Sequence, residues 1–301
     1  MAESEAPDAK LTDTNLPDAN LPVQVVGEGP VPVVFLHGLM GRGRNFISIA
    51  RALSEVATSY LVDLPNHGVA DWTDDFSYDQ MADSVVATLK TRGVDSAVVV
   101  GHSMGGKVAM KVALRHGSCA ADGGESGGRA SATDGTPFVR ALAVIDISPR
   151  PADYEANKAP FKHLLDSVLD LDLSRIERRA DADAVLASEV EEPGVRAFLL
   201  QNLQRDGNGW SWQPNVAILR SWLSRIGDFP LTSEDLPFEG PVVWVGGSDS
   251  GYITDEDTAL MRGLFPGMRK VMVKGAGHWV HADRPDVVIQ ILSRLIQEAA
   301  E

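Results

Sequence analysis

Ser103 stands between two glycines in Gly101-His102-Ser103-Met104-Gly105, directly after the apolar run Val98-Val99-Val100. A strand that turns sharply into a helix needs small residues on both sides of the turn. Such a turn leaves the hydroxyl at its apex, beside the positive end of the following helix. Val108, Val112 and Ala113 recur at helical spacing after the turn, so the motif has the strand-turn-helix context it requires. A serine hydroxyl is a weak nucleophile at neutral pH. It needs a base within hydrogen-bond reach, and the base needs a third group to fix its tautomer.

Histidine suits the role of base. Of the seven in the chain, His278 follows directly on a glycine in Gly275-Ala276-Gly277-His278-Trp279-Val280-His281, where a loop can project it toward Ser103. His281 is its local rival. His102 should point away from the serine and pack behind it, while His37 and His67 hold loops. Two aspartates compete for the third position. Asp249, in Gly246-Gly247-Ser248-Asp249, gives the chain order Ser, Asp, His of a nucleophile-elbow enzyme and is preferred; Asp146, at the end of an apolar run, is the alternative acid. Whichever is not the acid would cap a helix or brace a turn. The backbone N–H groups of Leu39, in His37-Gly38-Leu39-Met40-Gly41, and of Met104 are the candidate oxyanion donors. This chemistry calls for neither metal nor organic cofactor.

These residues need a scaffold that brings chain-distant loops together. Apolar runs at 23–26, 31–36, 59–64, 98–100, 139–147, 241–245 and 269–273 read as strands. Between them lie helical patterns at 45–55, from a Ser77/Gln80 capping box to Gly93, after Ser103, at 254–265 and from Asp286. Strands alternating with helices predict an α/β fold with a doubly wound, mostly parallel sheet, whose ligands gather at the C-terminal strand ends. His37, Asp63, Ser103, Asp146, Asp249 and His278 all fall there. Residues 151–235 carry helical patterns and no convincing strand, and are expected to form a helical cap inserted into a core of 23–150 and 236–301. Trp210, Trp212 and Trp222 of this segment either pack or line a pocket. An acidic tail over 1–22 and a Gly-rich insertion over 117–137 read as disordered.

The chain has 301 residues, with 27 Lys and Arg against 42 Asp and Glu, for a formal charge of −15. That balance argues against nucleic acid or an anionic membrane surface as a partner. No run approaches the roughly 18 apolar residues of a membrane span. The start of the sequence has the pattern of neither a secretory nor a mitochondrial leader. A single cysteine, Cys119, fits a reducing compartment, so a cytoplasmic protein is expected.

His37-Gly38-Leu39-Met40-Gly41, Asp63-Leu64-Pro65-Asn66-His67-Gly68, Gly101-His102-Ser103-Met104-Gly105-Gly106-Lys107 and Gly277-His278-Trp279-Val280-His281-Ala282-Asp283-Arg284-Pro285 together resemble the α/β-hydrolase superfamily. The Asn-His-Gly turn, the Gly-Gly-Lys continuation and the His-Trp-Val-His ending are most similar to its small acyl-CoA and short-chain esterase group, which includes alcohol acetyltransferases. The resemblance implies an α/β-hydrolase fold and a triad of Ser103, His278 and an aspartate. Members of the group commonly carry Arg where Pro65 stands. Some lack an aspartate after the penultimate strand, and the earlier strand's aspartate is their candidate acid, so by that analogy Asp146 regains ground and the acid stays open between the two. The expectation is a serine hydrolase that cleaves carboxylic esters or thioesters through an acyl-enzyme. An alcohol acyltransferase, a lyase or a ligand-binding protein of the same fold are the alternatives; serine at the elbow disfavours dehalogenase chemistry.

Overall fold

The computed structural model describes residues 20–117, 137–151, 158–207 and 209–301. Strands β1 (Val23–Val26), β2 (Val31–Leu36), β3 (Ala57–Val62), β4 (Ala97–His102), β5 (Val139–Ile145), β8 (Val242–Gly247) and β9 (Met268–Val273) form a seven-stranded sheet in the order β1-β3-β2-β4-β5-β8-β9. A two-stranded hairpin, β6 (Leu203–Asp206) and β7 (Gly209–Trp212), lies between β5 and β8 in the chain. In the seven-stranded sheet only β1 runs antiparallel, against β3; the other neighbours are parallel.

Helices α1 (Ile47–Ala52), α2 (Tyr78–Lys90) and α3 (Met104–His116) follow the first strands. Then α4 (Lys158–Leu169), α5 (Arg179–Leu186), α6 (Pro193–Leu200), α7 (Val216–Ser221) and α8 (Leu223–Gly227) occupy the segment between β5 and β8. The last are α9 (Thr258–Leu264), α10 (Val280–Asp283) and α11 (Pro285–Ala300).

The central strands read as near-continuous apolar runs because both faces of the sheet are covered. Alternate side chains enter different cores. Val34, Leu36, Val99, Leu142 and Val144 pack with α2 and α3 on one side, whereas Val33, Phe35, Val98, Val100, Ala143 and Ile145 pack with α1 and α11 on the other. Helix α3 is buried from Met104 through Leu114, which holds the elbow at its N-terminus on a rigid support.

Several boundaries depart from expectation, among them the end of the strand expected at 139–147, which stops at Ile145, and the start of the helix expected at 254–265, which begins at Thr258. Leu21 is buried and its N–H donates to Thr88 Oγ1, while the Pro22 carbonyl accepts from the Asp63 N–H, so these two residues belong to the core and not to a tail. The strand expected at 59–64 ends at Val62, because Asp63 turns its carboxylate to the N–H groups of Gly43 and Val69. The helix expected at 45–55 is a short 3-10 turn over Gly43–Phe46 followed by α1. The segment expected to lack strands contains the β6–β7 hairpin. Residues 1–19 of the expected tail, and 118–136 of the expected insertion with Cys119, lie outside the described residues.

The segment between β5 and β8 is pinned to the loops at the C-terminal edge of the sheet. Asn202 Nδ2 donates to the Met40 carbonyl, Asn45 Nδ2 to Gln201 Oε1 and Trp72 Nε1 to the Gln213 carbonyl. The three tryptophans singled out above do not line the cavity that these loops enclose. Trp222 is buried against Phe76, and Trp210 lies under the Arg205 guanidinium.

Candidate active site

Ser103 is the residue on which the strand-to-helix turn pivots, and its backbone sits at φ 52° and ψ −120°. For a residue with a β-carbon this is a strained conformation. The flanking glycines allow it. A Cβ on Gly101 would lie 2.1 Å from the Gly105 carbonyl oxygen, and one on Gly105 would lie 2.3 Å from that of Leu36. The elbow therefore closes only with glycine at both positions.

Ser103 Oγ is 3.0 Å from His278 Nε2, and His278 Nδ1 is 2.8 Å from Asp146 Oδ2. A carboxylate only accepts, so Nδ1 carries the imidazole proton and Nε2 presents its lone pair to the serine hydroxyl. Asp146 follows β5 immediately and is wholly buried. Its other oxygen accepts the Gly247 N–H at 2.9 Å, and the Ser250 hydroxyl donates to the same oxygen as His278.

Asp249, the preferred acid in the sequence reading, is exposed, and its carboxylate accepts from its neighbour Ser248 Oγ at 2.8 Å. The hydrogen-bonded chain runs through Asp146 instead. The last residue of β8 contributes a peptide N–H and the loop after it a hydroxyl to that carboxylate, and sequence reasoning missed Ser250 altogether. Its spacing in Gly247-Ser248-Asp249-Ser250 offered two hydroxyls and no way to tell which would turn inward.

The remaining histidines are distributed as burial and tautomer dictate. His102 Nε2 donates to the His278 carbonyl at 2.8 Å and so ties the histidine loop to the elbow. His37 Nδ1 donates to the Gly38 carbonyl and its Nε2 accepts the Leu64 N–H, joining the two loops beside the site. Burial pushes His37 down to about 4, and His67 and His281 down to about 3. His281, the rival base, stacks on Phe46 and His102 rather than on the serine. Tyr252 covers one face of His278 with ring centroids 4.2 Å apart. Burial, aided by Asp146, raises its phenol to about 12, so it stays protonated.

Ser103 opens into a cavity lined chiefly by apolar side chains, among them Leu39, Met104, Ile147, Phe161, Leu223 and Ile226. Leu39 and Met104 thus border the same space as the hydroxyl. The Met104 N–H, at the first position of α3, is one of those a helix leaves without an internal acceptor.

A parallel α/β sheet with a strained serine elbow, bonded through histidine to a buried aspartate, defines a class of hydrolases. Residues 33–291 match the model of the alpha/beta hydrolase family, and the chain belongs to that family. It is 33% identical to the sn-1-specific diacylglycerol lipase ABHD11 of Xenopus laevis over 90% of this chain and 81% of that protein. It is 30% identical to esterase YbfF of Escherichia coli (strain K12), over 89% of this chain and 93% of that one. Among solved structures it resembles a marine microorganism esterase with a TM-score of 0.82 at 31% identity, covering 92% of this chain and 99% of the other.

Proposed function

We propose that this α/β hydrolase cleaves carboxylic esters or thioesters through an acyl-enzyme on Ser103. The observation that carries the reading is the continuous run Ser103 Oγ, His278 Nε2, His278 Nδ1, Asp146 Oδ2 at 3.0 and 2.8 Å. His278 takes the hydroxyl proton as Oγ attacks the acyl carbon, then returns it to the leaving oxygen or sulfur as that bond breaks. Asp146 keeps the proton on Nδ1 and stabilises the imidazolium that forms. The N–H groups of Met104 and Leu39 receive the oxyanion. This assignment is supported by the position of both residues on the cavity and by the helix N-terminus beneath it. Water, deprotonated by His278, then releases the acid.

Residues 151–235 act in this reading as a cap that sets the acyl pocket, supported by Phe161, Leu223 and Ile226 in the cavity wall. The cytoplasm is its proposed setting, in keeping with a single cysteine. Transfer of the acyl group to an alcohol uses the same residues, and product analysis with ethanol present separates it from hydrolysis. The test is turnover of p-nitrophenyl acetate, butyrate and octanoate by wild type and Ser103→Ala. A loss of at least about a thousandfold is expected. A variant with near-wild-type turnover would overturn the proposal.

A further inference from the structure

The catalytic cavity also contains a cation to which acyl transfer gives no task. Lys107 follows Ser103 by one helical turn, and its N–H donates to the Ser103 carbonyl at 3.1 Å, so the two side chains leave the same face of α3. It lines the cavity yet is only 2% exposed. A buried ammonium needs acceptors. Here they are three successive backbone carbonyls: Gly227 at 2.6 Å, Asp228 at 2.9 Å and Ile226 at 3.4 Å.

Those carbonyls end α8, and Leu223, Ile226 and Gly227 of α8 are cavity wall. One side chain thus fastens the wall to the helix that carries the nucleophile. Helix α8 has further support. Tyr78 Oη donates to the Ile226 carbonyl at 2.6 Å, and the neighbouring Trp222 packs on Phe76. The fold can therefore survive without the lysine while the carbonyls of Gly227 and Asp228, at the end of α8, lose the donor that restrains them.

We propose that Lys107 is a specificity-determining residue of the acyl pocket: its ammonium holds the end of α8 over the nucleophile helix and so disfavours longer acyl chains relative to shorter ones. The proposal rests on the acyl-transfer reading and deepens it by naming a residue that selects among acyl chains. Three N–H groups match three carbonyls. A neutral amine keeps two and turns a lone pair toward the third, which releases the wall.

Burial draws Lys107 down to about 8, opposed by Asp228. The charged and titratable groups around it are few. Asp228 accepts from the Phe229 N–H, and the phenol of Tyr78 on α2 is held well above its ordinary range by burial. Lys111, one turn further along α3, is paired with Asp79 and Asp235. Across the cavity Arg150 faces Asp257 at 3.3 Å. In the proposed reaction His278 and Asp146 act on every ester alike, so a ratio of two esters of one alcohol cancels their contribution.

The experiment measures kcat/KM for ethyl butyrate and ethyl octanoate by pH-stat from pH 6.5 to 9.5, with wild type and Lys107→Met. The octanoate-to-butyrate ratio of wild type should rise at least threefold with a midpoint near 8. The ratio of Lys107→Met should exceed that of wild type at pH 7 at least tenfold and not change with pH. A pH-independent wild-type ratio overturns the proposal, as does a variant that slows both esters equally. If Lys107→Met does not fold, the wild-type ratio decides alone. Persistent turnover in Ser103→Ala would instead be a failure of the acyl-transfer reading, so the two failures are distinguishable.

Discussion

Two loops leave the adjacent parallel strands β5 and β8, and each carries an aspartate. Asp146, with a positive φ of 51°, tucks beneath His278 with no exposed surface and collects donors from Gly247, Ser250 and His278. Asp249 lies in solvent on the other loop and accepts from Ser248. The two side chains are chemically identical, so the difference lies in what surrounds them. A carboxylate in the proposed role of stabilising an imidazolium has to be shielded from water and yet keep its charge. Only donors built into its surroundings allow both. The loop after β8 takes part in the site by donating to the other loop's acid.

The sharpest way to break this comparison is Asp146→Asn. The amide offers either a neutral oxygen or an N–H to Nδ1, so the tautomer that lets Nε2 accept the serine proton is no longer enforced. The expected loss in kcat/KM for p-nitrophenyl butyrate is on the order of 10³–10⁴. A variant that kept a tenth of wild-type activity would remove Asp146 from the role of acid.

The elbow and the histidine bonded to it were legible because their signals are local. Glycines flank Ser103 within a strand-to-helix context, and a glycine precedes His278 after the last strand. The sheet was legible for the same reason, since its strands are short apolar runs separated by helical periods. The aspartate bonded to His278 was not, because chain order alone does not say which of two neighbouring loops folds under the histidine. A physical signal did exist. Asp146 stands between Ile145 and Ile147, whereas Asp249 stands between Ser248 and Ser250, and apolar neighbours mark the buried one. The β6–β7 hairpin escaped notice because each strand has only four residues, although Asp206-Gly207-Asn208-Gly209 is a turn composition. Lys107 could be placed after the elbow, but its contact with α8 is long-range and left no trace in the local pattern.

A milder perturbation sharpens the comparison from the side of the donor loop. Ser250→Ala removes the hydroxyl that shares Asp146 Oδ2 with His278 and leaves the carboxylate in place. A hydrogen bond to a charged group contributes roughly 1.5–3 kcal/mol in general. With the Gly247 N–H still present on the other oxygen, about a tenfold fall in kcat is expected, with KM little changed. A KM effect with constant kcat would mean that Ser250 shapes the pocket and not the acid.

The smallest effect is expected where the sequence pointed first. Asp249 holds the site through its backbone: its N–H donates to the Ala276 carbonyl at 3.0 Å, two residues before His278, and Ser248 Oγ accepts from Gly275 N–H at 2.9 Å. Both bonds fasten the histidine loop to the loop after β8, and neither uses the Asp249 carboxylate. Asp249→Asn keeps the N–H, the side-chain shape and an oxygen able to accept from Ser248, so kcat/KM should stay within about twofold of wild type. Measured beside Asp146→Asn under the same conditions, the pair of variants separates the two aspartates directly. A large loss in Asp249→Asn with a small one in Asp146→Asn would reverse the assignment, and would require the loop after β8 to swing its exposed carboxylate inward during turnover.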